Sequence, residues 1–364
     1  MTITHAPAPP AAEVNAALPT EAPDHERVLI TRGPRSGLTI IVAVHSTRLG
    51  QALGGARLWR YSHWTDGLAD ALRLSQAMTM KNAAAGLARG GGKSVVAIPA
   101  GVTLDDAQKR DAMLDLGDAV ESLGGAYMTA EDVGTSAELM AVVHERTEHV
   151  CGLPAEQGGV GEPADATAAG VHASIIATLG HVFGSTDATG RHLVISGLGQ
   201  VGGRLARSLA AAGARLTVTD VAADKRALAD ELGAAWVDPA DAHRVEADVF
   251  VPCGLGGVLT PEVVDEFRVR AVVGAANNQL ASRDVARLLT ERRIVWAPDF
   301  VVNAGGVIYL DVASEPDADQ AALDARIAGI GETVVAVLRD AEQRGSTTLE
   351  AAERLARARL DAAR

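Results

Sequence analysis

Lysine is nearly missing from this 364-residue sequence: there are four, Lys81, Lys93, Lys109 and Lys225, and the other 29 of its 33 basic side chains are arginine. Cysteine is scarce too. Cys151 and Cys253 stand outside any metal-type cluster, so no cysteine-based metal site is expected, and a disulfide is open but not needed. No run of eighteen apolar residues and no charged-then-apolar leader occurs. A membrane span and a secretory leader are therefore not expected, and a reducing cytoplasm is. Repeats and nucleic-acid motifs are absent, and a net charge of −13 argues against nucleic acid or an anionic membrane as the main partner. What remains is 48% hydrophobic and 22% charged, the composition of a globular chain long enough for two separate cores.

Against that scarcity, one stretch keeps two lysines twelve residues apart: Met78 to Lys93, with Lys81 near its start and Gly90, Gly91 and Gly92 just before Lys93. Arginine stays charged at any working pH, whereas a buried lysine can lose its proton. Two lysines among small and apolar residues therefore point to amines that must titrate or fit a tight pocket. Upstream, residues 1–23 are rich in Ala and Pro and read as a tail. Val28 to Ile30 and Leu38 to Val44 read as a hairpin about the Gly33–Gly37 turn. Leu68, Ala71, Leu72, Ser75 and Met78 share a helical face, which places Lys81 in the last turn of that helix or just beyond it. The triple glycine reads as the end of a linking segment, with Ser94 to Ile98 a buried strand and Lys93 at its entrance. A second helix is expected over 104–123. Asp132 falls at the end of the strand that follows, a common place for a working carboxylate.

The second half alternates strand and helix. His192 to Ser196 leads into Gly197, Gly199 and Gly202, which open a helix through Ala212, and the next strand ends at Asp220, 18 positions past the last glycine. In that context the glycines let the backbone approach a pyrophosphate at a helix N-terminus. Asp220 would accept hydrogen bonds from a ribose diol and repel a 2′-phosphate, which favours NAD over NADP. Further strands end in the loops 252–257 and 274–278. Asn277 and Asn278 are thus placed to meet nicotinamide or substrate, although a plain turn role for one of them is an equal reading. The fold class expected is α/β: an N-terminal α/β substrate domain over 24–150 and a Rossmann-type doubly wound dinucleotide-binding domain over 151–324, with a cleft between them. The segment 151–164 is the expected linker, and the helices of about 325–364 are expected to pack back on the first domain.

These motifs resemble the glutamate/leucine/phenylalanine/valine dehydrogenase family. The resemblance lies in Leu53 to Arg57, Met78 to Lys93, Thr129 to Thr135, Gly197 to Gly202, Ala276 to Asn278 and Val302 to Gly306. It covers roughly residues 28 to 330. It implies that Lys81 binds a substrate α-carboxylate, that Lys93 is the catalytic lysine and that Asp132 shuttles protons to and from the amino group. Two amines in one dry cleft would disfavour each other's charge, as a base near neutral pH requires. Cofactor contacts would come from Gly197, Gly199, Gln200, Val201, Gly202, Asp220, Cys253, Gly254, Ala276, Asn278, Asn303 and Thr167, with NAD as cofactor and no metal. Gly54 and Asn277 would touch substrate. The reaction implied is reversible oxidative deamination of an L-amino acid to its 2-oxo acid and ammonium, by a homo-oligomer.

Within the family, glutamate-acting members carry lysine where this chain has Leu53. A leucine there would leave a side-chain carboxylate unpaired, at high cost, so an apolar substrate is expected. Leu53, Ala130, Val307 and Leu310 would line its side chain, and alanine rather than glycine at 130 leans toward a branched aliphatic one, although a methyl group discriminates by only ~1–3 kcal/mol. Ala56, Ala164–Asp165–Ala166 and the bulk of Leu310 depart from the family pattern. The rival readings are a phenylalanine- or tryptophan-type member and a non-catalytic NAD-binding regulator.

Overall fold

A computed structural model describes residues 24–157, 163–313 and 319–363. The expected tail, and residues 158–162 of the expected linker, lie outside the described residues. The chain divides into two compact units: one takes residues 24–79 and 90–157, and the other takes 80–89 and the described residues from 163 onward.

The first unit is built on a five-stranded mixed sheet: β1 (Arg27–Arg32), β2 (Thr39–Ser46), β3 (Ala52–Tyr61), β4 (Gly90–Pro99) and β5 (Tyr127–Glu131), in the order β1-β2-β4-β3-β5. The hairpin forms as expected, with β1 antiparallel to β2. Its turn is fixed by a buried carboxylate, since Asp115 accepts from the Ser36 N–H at 2.9 Å, from the Ser36 hydroxyl at 2.8 Å and from Arg35 Nη1 at 2.8 Å. Alternation along the strands sends Ile40, Val42, Ala56 and Leu58 to one face, against Met113, Leu116 and Met140, while Ile41, Ala43, Val95 and Ala97 meet Ala71 and Leu72 on the other. The first face is covered by the helices Asp106–Glu121 and Ala137–His144, and the second by Trp64–Ala84. Asp105 and Gln108 close a reciprocal capping box on Asp106–Glu121, worth about 1 kcal/mol.

The triple glycine corrects the sequence reading. Gly90, Gly91 and Gly92 are the first residues of β4, not a linker, so Lys93 is its fourth residue. Glycine is poor in strands on entropic grounds, but here nothing else fits. A Cβ on Gly91 would stand 2.1 Å from the Thr79 nitrogen, and one on Gly92 would stand 2.5 Å from the Tyr127 ring.

The second unit carries six parallel strands, β6 (His192–Ser196), β7 (Arg215–Thr219), β8 (Ala235–Trp236), β9 (Val249–Pro252), β10 (Ala271–Val272) and β11 (Val295–Trp296), in the order β11-β10-β9-β6-β7-β8. This is the doubly wound Rossmann order, and its direction reverses between β6 and β9. Val194, Phe250, Val272 and Trp296 pack with Val264 and Leu289 in its core. The C-terminal helices group with this unit rather than with the first. Ile330–Arg344 packs on Ala164–Phe183, where Gly170 and Gly331 remove the side chains that would collide: a Cβ on Gly331 would stand 2.9 Å from the Ala173 carbonyl oxygen. Ala164–Phe183 is long and apolar enough to cross a bilayer by composition, but Val171, Ile175 and Leu179 on it are buried.

Candidate functional site

In the first unit the chemistry gathers where β3, β4 and β5 run side by side. Lys93 shares the face of Val95 and Ala97 and is buried, with its Nζ 2.6 Å from Asp132 Oδ2. Asp132 follows the last residue of β5. Its N–H donates to Thr135 Oγ1 at 2.8 Å, and that hydroxyl donates in turn to the Ala56 carbonyl at 3.0 Å, so the turn is tied to β3. Gly134, at φ +84°, closes the turn: a Cβ there would stand 2.0 Å from the Leu58 carbonyl oxygen. The paired glycines of β3 form the floor. A Cβ on Gly54 would meet the Gly92 carbonyl oxygen at 1.8 Å, and one on Gly55 would meet Asp132 Cβ at 2.7 Å and Lys93 Nζ at 3.3 Å. Leu53, two residues before Gly55, and Ala130, in register with Gly55, lie on this same face, and both are buried.

Burial lowers the Lys93 pKa further than Asp132 raises it, so the ammonium is less favoured than in water. Burial alone would raise the Asp132 carboxyl, but Lys93 and Arg57 together hold it below the usual carboxylate value. The result is an anchored carboxylate beside an amine that can give up its proton.

Arg57 is the member of this site that the sequence reading missed. Its Nε donates to Asp132 Oδ2 at 3.0 Å and its Nη1 to Asp70 Oδ2 at 2.7 Å. Asp70 also accepts from the Tyr61 hydroxyl at 2.8 Å and from Arg73 Nη2 at 2.7 Å. The available signal was the spacing of Arg57 and Tyr61, which puts both on one face of a strand among apolar residues.

In the second unit, the loop after β6 has the geometry of a phosphate cradle. Gly197 sits at φ +105°, and a Cβ on it would stand 2.8 Å from the Gly254 nitrogen. A Cβ on Gly202 would stand 1.9 Å from the Gly197 carbonyl oxygen and 3.0 Å from Cys253 Cβ. Gly199 precedes the helix Gln200–Ala211, whose N-terminus has no side-chain cap, and no atom would lie within 4 Å of a Cβ there. Free N–H groups, a positive helix end and open space suit a pyrophosphate. Gln200 is exposed and holds Arg204 through Oε1 at 2.6 Å, and Val201 is half-buried. Asp220 accepts from the Leu198 N–H at 2.6 Å and the Ala222 N–H at 2.8 Å, and each oxygen retains a lone pair for a diol.

Beside this cradle, Asn303 Nδ2 donates to Asn277 Oδ1 at 2.8 Å and to the Ala275 carbonyl at 3.1 Å, while Asn303 Oδ1 is a buried acceptor with no hydrogen bond. Ala276 is tied to β9 through its N–H and the Pro252 carbonyl, at 2.9 Å, and Asn278 takes φ +52°. A second missed group holds this turn. Gln279 is fully buried, its N–H donates to Asp299 Oδ2 at 2.8 Å, and its Oε1 accepts from Trp296 Nε1 at 2.9 Å. Burial pushes the Asp299 carboxyl up, against the Gln279 and Phe300 N–H groups and the charge of Lys81. Lys81 lies in the last turn of Trp64–Ala84, as one of the two placements expected. Val307 and Leu310 share the helix Gly305–Ala313 and are buried, and the next residue, Asp311, pairs with Arg89 at 2.6 Å. Thr167 donates to the Pro163 carbonyl at 2.9 Å and lies against Gly306, where a Cβ would stand 2.7 Å from its hydroxyl. Lys93 and Asp132 thus belong to the first unit, and Lys81 and the nucleotide-type loops to the second. Among the described residues, no cluster of side chains suits a metal.

Comparison with known proteins identifies a family. Residues 25–149 match the family model for the Glu/Leu/Phe/Val dehydrogenase dimerisation domain, and residues 217–364 match that for glutamate/leucine/phenylalanine/valine dehydrogenase. The chain is 40% identical to the leucine dehydrogenase of Geobacillus stearothermophilus over 347 residues, 94% of this chain and 93% of that one. It is 39% identical to the valine dehydrogenase of Streptomyces albus over 345 residues, 93% of each. The crystal structure of L-tryptophan dehydrogenase from Nostoc punctiforme superposes with a TM-score of 0.81 at 31% identity, covering 93% of this chain and 96% of that one.

Proposed function

The chain belongs to the glutamate/leucine/phenylalanine/valine dehydrogenase family, and on that premise we propose that it catalyses the reversible NAD-dependent oxidative deamination of an apolar, branched-chain L-amino acid. The balance is L-amino acid, NAD+ and water to 2-oxo acid, ammonium, NADH and a proton. The observation that carries this reading is the buried Lys93–Asp132 pair at 2.6 Å over a glycine floor.

Bound in the cradle of Gly197, Gly199 and Gly202, NAD+ supplies the acceptor for the hydride of the substrate α-carbon. Gln200, Val201, Cys253, Gly254, Ala276, Asn278 and Thr167 complete that set. Asp220 selects a ribose diol over a 2′-phosphate by charge, and the unpaired Asn303 Oδ1 is an acceptor for an amide donor. In our assignment Lys81 supplies the ammonium for the substrate α-carboxylate. Lys93, lowered by burial, takes a proton from the water that attacks the α-carbon once the hydride has left. Asp132 holds the amino group through its lone pairs and passes protons to it as ammonia departs. For the substrate side chain the first unit offers Leu53, Gly54 and Ala130, and the second offers Asn277, Val307 and Leu310. Leu53 brings no charge to a distal carboxylate, which disfavours glutamate.

The test is the absorbance of reduced cofactor with NAD+ and single L-amino acids. Turnover with leucine, valine or isoleucine above phenylalanine and tryptophan is expected. Turnover with none of them would overturn the reading, and preference for NADP+ would overturn the role of Asp220. The protein is expected to act as a cytoplasmic homo-oligomer. The first matched domain is described as a dimerisation domain, and β1 stands at an open sheet edge to serve one.

A further inference from the structure

We infer that Arg57 and Asp70 form a positioning pair for the reaction proposed above: Arg57 fixes the Asp132 carboxylate beside Lys93, and Asp70 fixes Arg57. The inference rests on that reaction but concerns residues that no part of it uses. Arg57 and Lys93 donate to the same oxygen, Asp132 Oδ2, at 3.0 and 2.6 Å. Two donors on one oxygen, with the Val133 N–H also on the carboxylate, restrict its rotation. Arg57 cannot drift, because Asp70 Oδ2 takes its Nη1 at 2.7 Å. Nor can Asp70, which is largely buried and held by the Tyr61 hydroxyl at 2.8 Å and by Arg73 at 2.7 Å. The chain of contacts runs from the surface at Arg73 to the buried amine, alternating in sign at each step.

Charge alternation has a kinetic consequence for Lys93. The ionisable groups that face it in this unit are Asp132, Arg57 and Asp70, with Tyr61 and Arg73 behind Asp70. Asp132 alone would hold the Lys93 proton in place. Arg57 draws on the same carboxylate and opposes that hold, while Asp70 moderates Arg57. A planar guanidinium suits the task, since it reaches two carboxylates at once in fixed directions and cannot itself lose a proton.

The experiment measures kcat, KM and the pH profile of kcat/KM with NAD+ and an apolar L-amino acid for wild type, Arg57→Gln, Arg57→Lys and Asp70→Asn. Wild-type turnover first establishes the parent reaction, so failure there is separate from failure of the pair. Arg57→Gln is expected to lose about 10- to 100-fold in kcat, the scale of a misplaced catalytic group, with little change in substrate KM. Its acidic limb should move to higher pH, because the charge opposing the Lys93 proton is gone. Asp70→Asn should move the same limb to lower pH, because an anion favouring that proton is gone. Arg57→Lys should restore less than full activity, since an ammonium cannot fork to both carboxylates. Opposite movements of the limb support the pair. Limbs at the wild-type position in both variants, or displaced in the same direction, would overturn it. If Arg57→Gln does not fold, Asp70→Asn decides alone: a limb moved to lower pH supports the pair, and an unmoved or raised limb overturns it.

Discussion

Arg359, on the helix Thr348–Ala362, donates to the main-chain carbonyl oxygens of Ala83, at 3.0 Å, and Ala84, the last two residues of the helix that carries Lys81. Carbonyls at a helix C-terminus have no partner within the helix, and a cation there also meets the negative end of the dipole. A residue remote in sequence thus finishes the turn on which the proposed substrate anchor stands. Arg359→Ala is expected to cost about 1–2 kcal/mol, read as a lower Tm. Fraying of the last turn should also raise the Michaelis constant for the amino acid while leaving kcat nearly unchanged. Steady-state kinetics check this, and a lowered kcat at unchanged KM would detach Lys81 from the anchoring role.

Lys93→Ala should remove turnover by about 10²- to 10⁴-fold, the usual contribution of a general base. The pH dependence is the sharper measurement. Burial lowers the Lys93 pKa, so the neutral amine is populated at lower pH than for a lysine in water. kcat/KM of wild type should fall as pH drops through that lowered value and the amine takes its proton. The residual activity of Lys93→Ala should lack that limb, because no amine remains to titrate. A retained limb in the variant would assign it to another group.

The Rossmann unit was legible because its evidence is local. Strand, glycine loop, helix and Asp220 lie within one continuous segment, and each obeys its own short-range rule. Lys93 stood out by its residue type, although it lies four residues into β4 and not at a strand entrance, and Asp132 stood out by its place just past the end of β5. Arg57 and Asp70 were not, since 13 residues separate them along the chain and 75 separate Arg57 from Asp132. Only the pairing of β3 with β4 and β5, and the helix laid over that face, brings them together. The triple glycine misled for a related reason. Its local preference says linker, whereas the close approach of Thr79 and Tyr127 makes it the only residue type β4 can hold there. Gln279 and Asp299 escaped because a buried amide reads from sequence as a surface residue until its partners are known.

Gly199 and Gly202 should separate cofactor binding from folding. A Cβ on Gly202 would stand 1.9 Å from a backbone oxygen, so Gly202→Ala must displace the helix from the strand and should lower both Tm and affinity for NAD+. Gly199 has an extended backbone, φ −66° and ψ −158°, that alanine can adopt, and open space around its Cβ position. Gly199→Ala should therefore leave the Tm of the free protein nearly unchanged while raising the Kd for NAD+, because the methyl group enters the space the pyrophosphate needs. Calorimetric titration with NAD+ beside a thermal melt distinguishes the two variants. Unchanged affinity in Gly199→Ala would move the phosphate site elsewhere.

The acidic side of the stability curve should depend on Asp70 and Asp132. Burial alone would raise both carboxyls. Arg57, Tyr61 and Arg73 bring Asp70 below its ordinary value, and Lys93 and Arg57 do the same for Asp132. A carboxyl whose folded pKa is depressed contributes stability that is complete above its unfolded value, near ~4, and is lost as pH falls through the folded value. Melting temperature should then hold from neutral pH to about that value and drop steeply below it. Asp70→Asn should begin with a lower Tm at pH 7, because Arg57 loses one of its counter-charges, but should show a shallower drop on acidification, since one fewer linked proton binds on unfolding. Parallel curves for wild type and variant below pH ~4 would mean that Asp70 takes no part in that linkage, and that its contacts with Arg57 and Tyr61 hold position without holding charge.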